Sequence, residues 1–285
     1  MAEDREIKIS FVSKDEILCP ACWNVFHREE LHSGSGRLIA GEITEELQRL
    51  YEPSARYGDI YPLAYQATVC PECWFASMDK DFSLLSETAR DRVMEDRQKR
   101  INETKLIFPS VDFHENRGLV SGTASQYLTL RCYDYFSKDV SPTMKQGITS
   151  LRTSWLLEHL HAKYPEEHYD WLSQLFKKKA LFFYGEAFKR EQSGQESFGG
   201  IKSFGPDTDK NYGYEGGLYV LALLQLEYGS TSDSEVRNVA LQDAKRTIAK
   251  VFGLGKSSKN RPGPLLEHAR NVYNRINKEL NEMDE

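Results

Sequence analysis

Residues 7–13, Ile-Lys-Ile-Ser-Phe-Val-Ser, alternate apolar and polar positions, and that period of two predicts a strand. A second strand is expected from Trp23 to Phe26, and a third from Tyr65 to Val69, with Tyr61-Pro62 before it as a turn. Between them Thr44 precedes Glu45, Glu46 and Leu47, an order that predicts a short helix near 44–51 with Thr44 as its cap. The Ser33-Gly-Ser-Gly36 stretch reads as a loop and not a phosphate cradle, because the P-loop lysine–hydroxyl pair and its flanking strand and helix are missing.

The texture changes beyond Asp79. Residues 81–105 space Leu84, Leu85, Val93 and Ile101 along one long charged helix, whose seven basic and seven acidic side chains between Asp79 and Lys105 fall at local pairing distances. The stretch from Phe108 to Gly122 carries Pro109 and Gly118 and reads as a hinge. Six helices follow, near 123–137, 143–163, 166–190, 213–228, 233–252 and 263–283, with a Gly- and Ser-rich insertion around 192–211. In one of them Ala180, Tyr184 and Ala187 match the small–aromatic–small spacing of a tetratricopeptide helix, and Ala244, Ile248 and Val251 fill the same slots less well. The expected fold is therefore α+β: a small zinc-ribbon-like β module at 1–78, a connecting helix and linker at 79–117, and an all-α tetratricopeptide-like array at 118–285.

The chemistry concentrates in the first of these. Cys19-Pro-Ala-Cys22 and Cys70-Pro-Glu-Cys73 are two C-P-x-C turns, each short enough to aim both sulfurs at one ion. Together they supply the four thiolates of a closed structural zinc site. An iron centre is the next reading and a pair of disulfides the last. Four thiolates leave no open position for water or substrate, so the site points to folding and not to catalysis. The residue after each pair is tryptophan, Trp23 and Trp74, where rubredoxin-like turns place glycine at positive φ. Either these turns take a different backbone or the metal over-determines it, and the two indoles are expected to pack across the site. His27 and His32 lie close in sequence, but with the shell already full they read as surface or supporting residues.

Charge narrows the function. Residues 1–78 hold 7 basic against 13 acidic side chains, while the remaining 207 hold 30 of each, so the net −6 lies on the cysteine-bearing segment. An acidic ribbon opposes the phosphate contacts that nucleic-acid binding requires. The longest apolar run, Leu218 to Leu224, is far too short to cross a bilayer. The acidic start, Met1-Ala2-Glu3-Asp4, does not resemble a secretory leader, which places the chain in the cytoplasm. Glu158, His159, His161 and Glu166 form the nearest grouping of catalytic residue types, yet two histidines two apart point to different helix faces. Cys132 and most aromatic residues of the second half read as core. The expected protein is a non-catalytic interaction scaffold for a protein or peptide partner. A nucleic-acid-linked regulator is the first alternative and an enzyme the second.

The paired turns, the approach Pro62-Leu-Ala-Tyr65 before the second, the Trp74-Phe75-Ala76 after it, and the Arg152-Thr-Ser-Trp155 step together resemble the bacterial family catalogued as domain of unknown function 2225. The resemblance implies a paired C-P-x-C head followed by a tetratricopeptide-like helical half; the family name carries no activity.

Overall fold

The computed structural model describes residues 8–32, 34, 37–253 and 263–284. Its chain forms two compact units: residues 1–43, 49–137 and 155–170 in the first, and residues 44–48, 138–154 and 171–285 in the second. The sequence placed breaks near 78 and 118, whereas the first unit runs through both. Packing inside that unit joins these segments.

Three separate antiparallel hairpins supply its β structure: β1 (Ser10–Leu18) with β2 (Val25–Leu31), β3 (Ile39–Ile43) with β4 (Arg49–Glu52), and β5 (Ala67–Val69) with β6 (Ala76–Met78). In the first, Ile17 pairs with Phe26 and Leu18 with Val25. Since strand side chains alternate, Ile17 and Phe26 turn inward, where Phe26 meets Phe82 edge-on at 5.8 Å, and Leu18 and Val25 turn out to solvent. Ile7 of the expected strand lies outside the described residues, as do Ser33, Ser35 and Gly36 of the expected loop.

The helix expected at 44–51 is not formed. Arg49 to Glu52 instead pairs with β3, and Thr44 Oγ1 accepts the Gln48 N–H at 3.2 Å, closing a turn. Leu47 takes φ 65 there, a conformation that stops a right-handed helix. The side chain of Leu47 is buried.

The single helix expected at 81–105 is broken in two, α1 (Glu87–Glu95) and α2 (Arg97–Ile107), preceded by a 3-10 segment at Asp79–Leu84. Asp96 sits at the break with ψ near 0, and its carboxylate accepts the Tyr135 hydroxyl at 2.7 Å. Arg100 folds back to give Nη1 to the Val93 carbonyl at 3.0 Å. Tertiary partners thus override a pattern that local charge pairs would have kept straight. The expected hinge is also anchored, for Phe108 and Val111 are buried.

α3 (Leu119–Cys132) packs on β5 and β6 and closes the core of the first unit. Gly122 is required for this approach, because a Cβ there would lie 2.2 Å from the Ala64 Cβ. Gln126 Nε2 donates to the Leu63 carbonyl at 2.8 Å, and the Ala76 N–H donates to the Cys132 sulfur at 3.4 Å. Phe75 packs tilted against Phe82 and stacks on Phe136. The cysteine-bearing hairpins and α3 therefore share one core. Cys132 is buried within it, and burial pushes its thiol up.

α4 (Pro142–Lys163) contributes to both units. The second unit holds α5 (Tyr169–Gln192), α6 (Gly213–Tyr228), α7 (Ser234–Gly253) and α8 (Gly263–Asp284). Ala180, Tyr184 and Ala187 are all fully buried, and Gly147 leaves room for the Tyr184 ring, since a Cβ would come within 2.8 Å of it. Gly217 admits Phe188 in the same way. Arg237 of α7 donates to the carbonyls of Gln225 and Leu226 and pairs with Glu279 of α8 at 2.7 Å, tying three helices together. The 192–211 insertion is packed by aromatic rings, with Phe198 against Phe188, Phe204 and Tyr214.

Candidate metal centre

Two turns of the same geometry carry the four cysteines. In the first, the Cys19 N–H donates to the Asn24 carbonyl at 2.8 Å and the Trp23 N–H to the Cys19 carbonyl at 3.0 Å. In the second, the Cys70 N–H donates to Phe75 at 2.9 Å and the Trp74 N–H to Cys70 at 2.9 Å. Trp23 has φ 66 and Trp74 has φ 57. The turns therefore keep the left-handed step that glycine would satisfy, and each tryptophan carries about 1–2 kcal/mol of backbone cost.

The four Sγ atoms lie within 4.8 Å of one another, with Cys19–Cys73 and Cys22–Cys70 both at 3.6 Å. A disulfide needs about 2.0 Å, and the cysteines are unbridged. A tetrahedral ion with metal–sulfur bonds of about 2.3 Å sets its sulfurs about 3.8 Å apart. The cluster thus fits one metal ion held by all four thiolates. Among the described residues, it is the group of metal-ligating side chains close enough to share an ion.

The electrostatics ask for a cation. Hydrogen bonds from Cys19 and Cys73 hold the Cys70 thiol far below its ordinary range. Cys73 is driven up by its hydrogen bonds to Cys19 and Cys70 and by burial. Cys19 is driven up by its hydrogen bond to Cys70 and by burial, only partly offset by Cys73. Charge on one of these sulfurs disfavours charge on its neighbours, and a metal ion bound by all four thiolates would relieve that repulsion.

The side chains around the two turns differ. Arg100, 2 % exposed, donates to the carbonyls of Cys73 at 2.6 Å and Trp74 at 3.1 Å. Arg97 donates to that of Glu72 at 2.6 Å. These guanidinium groups pin the second turn and bring positive charge beside a centre that would be a dianion around a divalent ion. Within the charged stretch 79–105 no local pattern distinguishes Arg97 and Arg100 from the other basic residues. The helix break at Asp96 turns Arg100 inward and leaves Arg97 at the surface over the turn. Trp74 is buried, at 89° edge-on to Phe113 with a centroid distance of 5.0 Å, with the Lys105 ammonium 5.7 Å from its ring. Trp23 is 58 % exposed, with the Arg90 guanidinium 4.7 Å from its ring. The two indoles do not pack across the site as expected, because only the second turn has a helix and loop over it.

The remaining residues of catalytic type stay apart. His27 is exposed on β2, and His32 stacks on Phe11 at 4.7 Å. His159 lies against Tyr61 at 4.8 Å, and burial lowers its pKa. His161 Nδ1 instead faces Asp170 at 3.7 Å. Glu158 and Glu166 are exposed. Among the described residues, no helix is long and apolar enough to cross a membrane.

Fold and site together define a mixed α+β protein with four cysteines on twin turns, close enough together to bind one metal ion, and a helical second unit. Residues 12–276 match the family described as "Uncharacterized protein conserved in bacteria (DUF2225)", and the chain belongs to it. It is also similar to an "Uncharacterized protein" of Borreliella burgdorferi, at 36 % identity over 273 residues that cover 96 % of this chain and 98 % of the relative. No solved structure matches the chain.

Proposed function

We propose that this protein is a non-catalytic interaction scaffold: a head fixed by one structural zinc on Cys19, Cys22, Cys70 and Cys73, and a tetratricopeptide-like helical unit that binds a protein or peptide partner. Zinc suits four thiolates in a tetrahedron and supplies folding energy without redox chemistry. The observation that carries the binding role is a groove of about 870 Å³ lined by α5, α6 and α7. Phe182, Val236 and Val239 line it while 63 %, 52 % and 58 % exposed. Large apolar side chains gathered along one open groove mark interaction sites on soluble proteins. Gly185 widens its floor, with only Leu221 within reach of a Cβ. The acidic balance of residues 1–78 favours a protein over nucleic acid as the partner.

Two measurements test the reading. Elemental analysis of protein prepared without chelator should give one zinc per chain; sub-stoichiometric metal, or two disulfides under anaerobic alkylation, overturns the zinc assignment. Affinity capture from the native cell, with proteins and nucleic acid both identified, should yield a protein that the Phe182→Asp, Val239→Asp variant loses while keeping its helicity. Capture unaffected by that variant, or dominated by nucleic acid, overturns the groove.

A further inference from the structure

The four sulfurs are not equally shielded. Cys19, Cys70 and Cys73 are 0 % exposed, whereas Cys22 is only half-buried. The difference follows the packing around each turn. At the second, Arg97 and Arg100 donate to the carbonyls of Glu72, Cys73 and Trp74, and the Trp74 and Phe75 side chains are buried. At the first, Cys22 is followed by a tryptophan turned to solvent, and the cross-strand pair Leu18 and Val25 beside the turn is exposed as well. Across the centre the Cys22 Sγ lies 3.6 Å from the Cys70 Sγ, and the buried Cys19 Sγ lies 3.6 Å from that of Cys73. Each contact joins one turn to the other.

In a four-thiolate shell every sulfur is deprotonated, and the thiolate is the form that attacks an oxidant. Among thiolates, oxidation favours the one that solvent reaches. We propose that Cys22 is the oxidation site of this centre, and that a hydroperoxide converts Cys22 and Cys70 into a cross-turn disulfide with release of the metal. The inference rests on the zinc reading given above. In the first step the Cys22 thiolate attacks one peroxide oxygen: the S–O bond forms, the O–O bond breaks, sulfenic acid remains on Cys22 and hydroxide leaves. In the second the Cys70 thiolate attacks the Cys22 sulfur: the S–S bond forms, the S–O bond breaks and a second hydroxide leaves. The two sulfurs give up two electrons in all, and one peroxide takes them. The contact has to close from 3.6 Å to about 2.0 Å. Cys19 and Cys73 then remain, two ligands where structural zinc takes four, so the ion is lost. The new bond links the same two turns that the ion linked, and Arg97 and Arg100 still hold the second. Cys132, fully buried in the shared core, takes no part.

The experiment treats the zinc-loaded full chain, under anaerobic conditions, with hydrogen peroxide in sub-stoichiometric steps. A chromogenic chelator reads zinc release, dimedone traps sulfenic acid, and mass spectrometry maps the disulfides. Dimedone should label Cys22 at least about tenfold more than any other cysteine. The disulfide should link Cys22 to Cys70, zinc should leave in step with the peroxide consumed, and Cys132 should stay reduced. Cys22→His offers zinc a nitrogen ligand in place of the exposed sulfur and should release zinc at least about tenfold more slowly, whereas Cys132→Ser should match the unsubstituted chain. Mapping on the unsubstituted chain decides the matter whether or not Cys22→His loads with zinc. First labelling at Cys19, Cys70 or Cys73, a disulfide within one turn, or zinc release without oxidation of Cys22 overturns this proposal alone. Less than one zinc per chain before peroxide is added overturns the zinc reading and this proposal with it.

Discussion

The two cysteine turns have one backbone and two environments. Each repeats the same pair of hydrogen bonds and the same positive φ at tryptophan. At the second, Arg97 and Arg100 take three successive carbonyls, Phe113 meets the indole, and α3 closes over the hairpin. The first has no such guanidinium on its carbonyls among the described residues, and its tryptophan faces solvent. Ligand geometry is thus set by the local motif, whereas rigidity is set by what packs on it. A turn built into a core serves the fold; the same turn left at a hairpin tip is free to serve something else.

The largest expected effect comes from removing the ligands of the proposed zinc one turn at a time. Cys70→Ser, Cys73→Ser and Cys19→Ser, Cys22→Ser should each abolish stoichiometric metal, a loss comparable to the whole stability of a domain, about 5–15 kcal/mol. Hydrogen exchange should separate them. The first variant should lose amide protection across 67–78 and into α3, while the second should lose it across 10–31 and keep part of it at 70–76, where Arg100 still holds the carbonyls. Identical protection patterns would erase the asymmetry. Next in size is Trp74→Gly. Emptying a buried indole site costs about 3–5 kcal/mol, and relief of the positive φ returns about 1–2 kcal/mol. Denaturant melts should therefore show a net loss of about 1–4 kcal/mol.

The asymmetry was not legible in the sequence, although the ligands were. C-P-x-C spacing fixes the sulfurs through bonds only three residues long, so Cys19, Cys22, Cys70 and Cys73 come together as read. Long helices with buried small and aromatic stripes, such as Ala180, Tyr184 and Ala187, were legible for the same local reason. What failed depended on distant partners. Asp96 breaks the 81–105 helix against Tyr135, 39 residues away. Thr44, a good cap on paper, closes a hairpin turn around Leu47 in a left-handed conformation. Gly122 against Ala64 merges the head with α3, which no pattern within either segment announces.

Trp23→Gly should move stability the opposite way from Trp74→Gly, by a smaller amount. The substitution relieves about 1–2 kcal/mol of backbone cost, loses a cation–π contact of about 0.5–1 kcal/mol, and forfeits far less burial than at Trp74. A net gain of a few tenths to about 1 kcal/mol in unfolding free energy, read from a higher denaturant midpoint at unchanged slope and metal content, is the expected outcome. A loss of more than 1 kcal/mol would show that Trp23 is a structural residue like its twin.

The smallest effect isolates the cations over the rings. Arg90 stands 4.7 Å from the Trp23 ring and Lys105 stands 5.7 Å from that of Trp74. Arg90→Ala removes the first turn's cation over its indole and should cost about 0.5–1 kcal/mol. In Trp23→Gly that same substitution should cost nothing, because the ring is gone; the double-mutant cycle reads the pair directly. Lys105→Ala should cost less, since its ammonium is farther from a ring already held by Phe113 and by burial. If Lys105→Ala proves the costlier of the two, the second turn depends on its cation more than on its packing, and the contrast between the turns must be redrawn around charge.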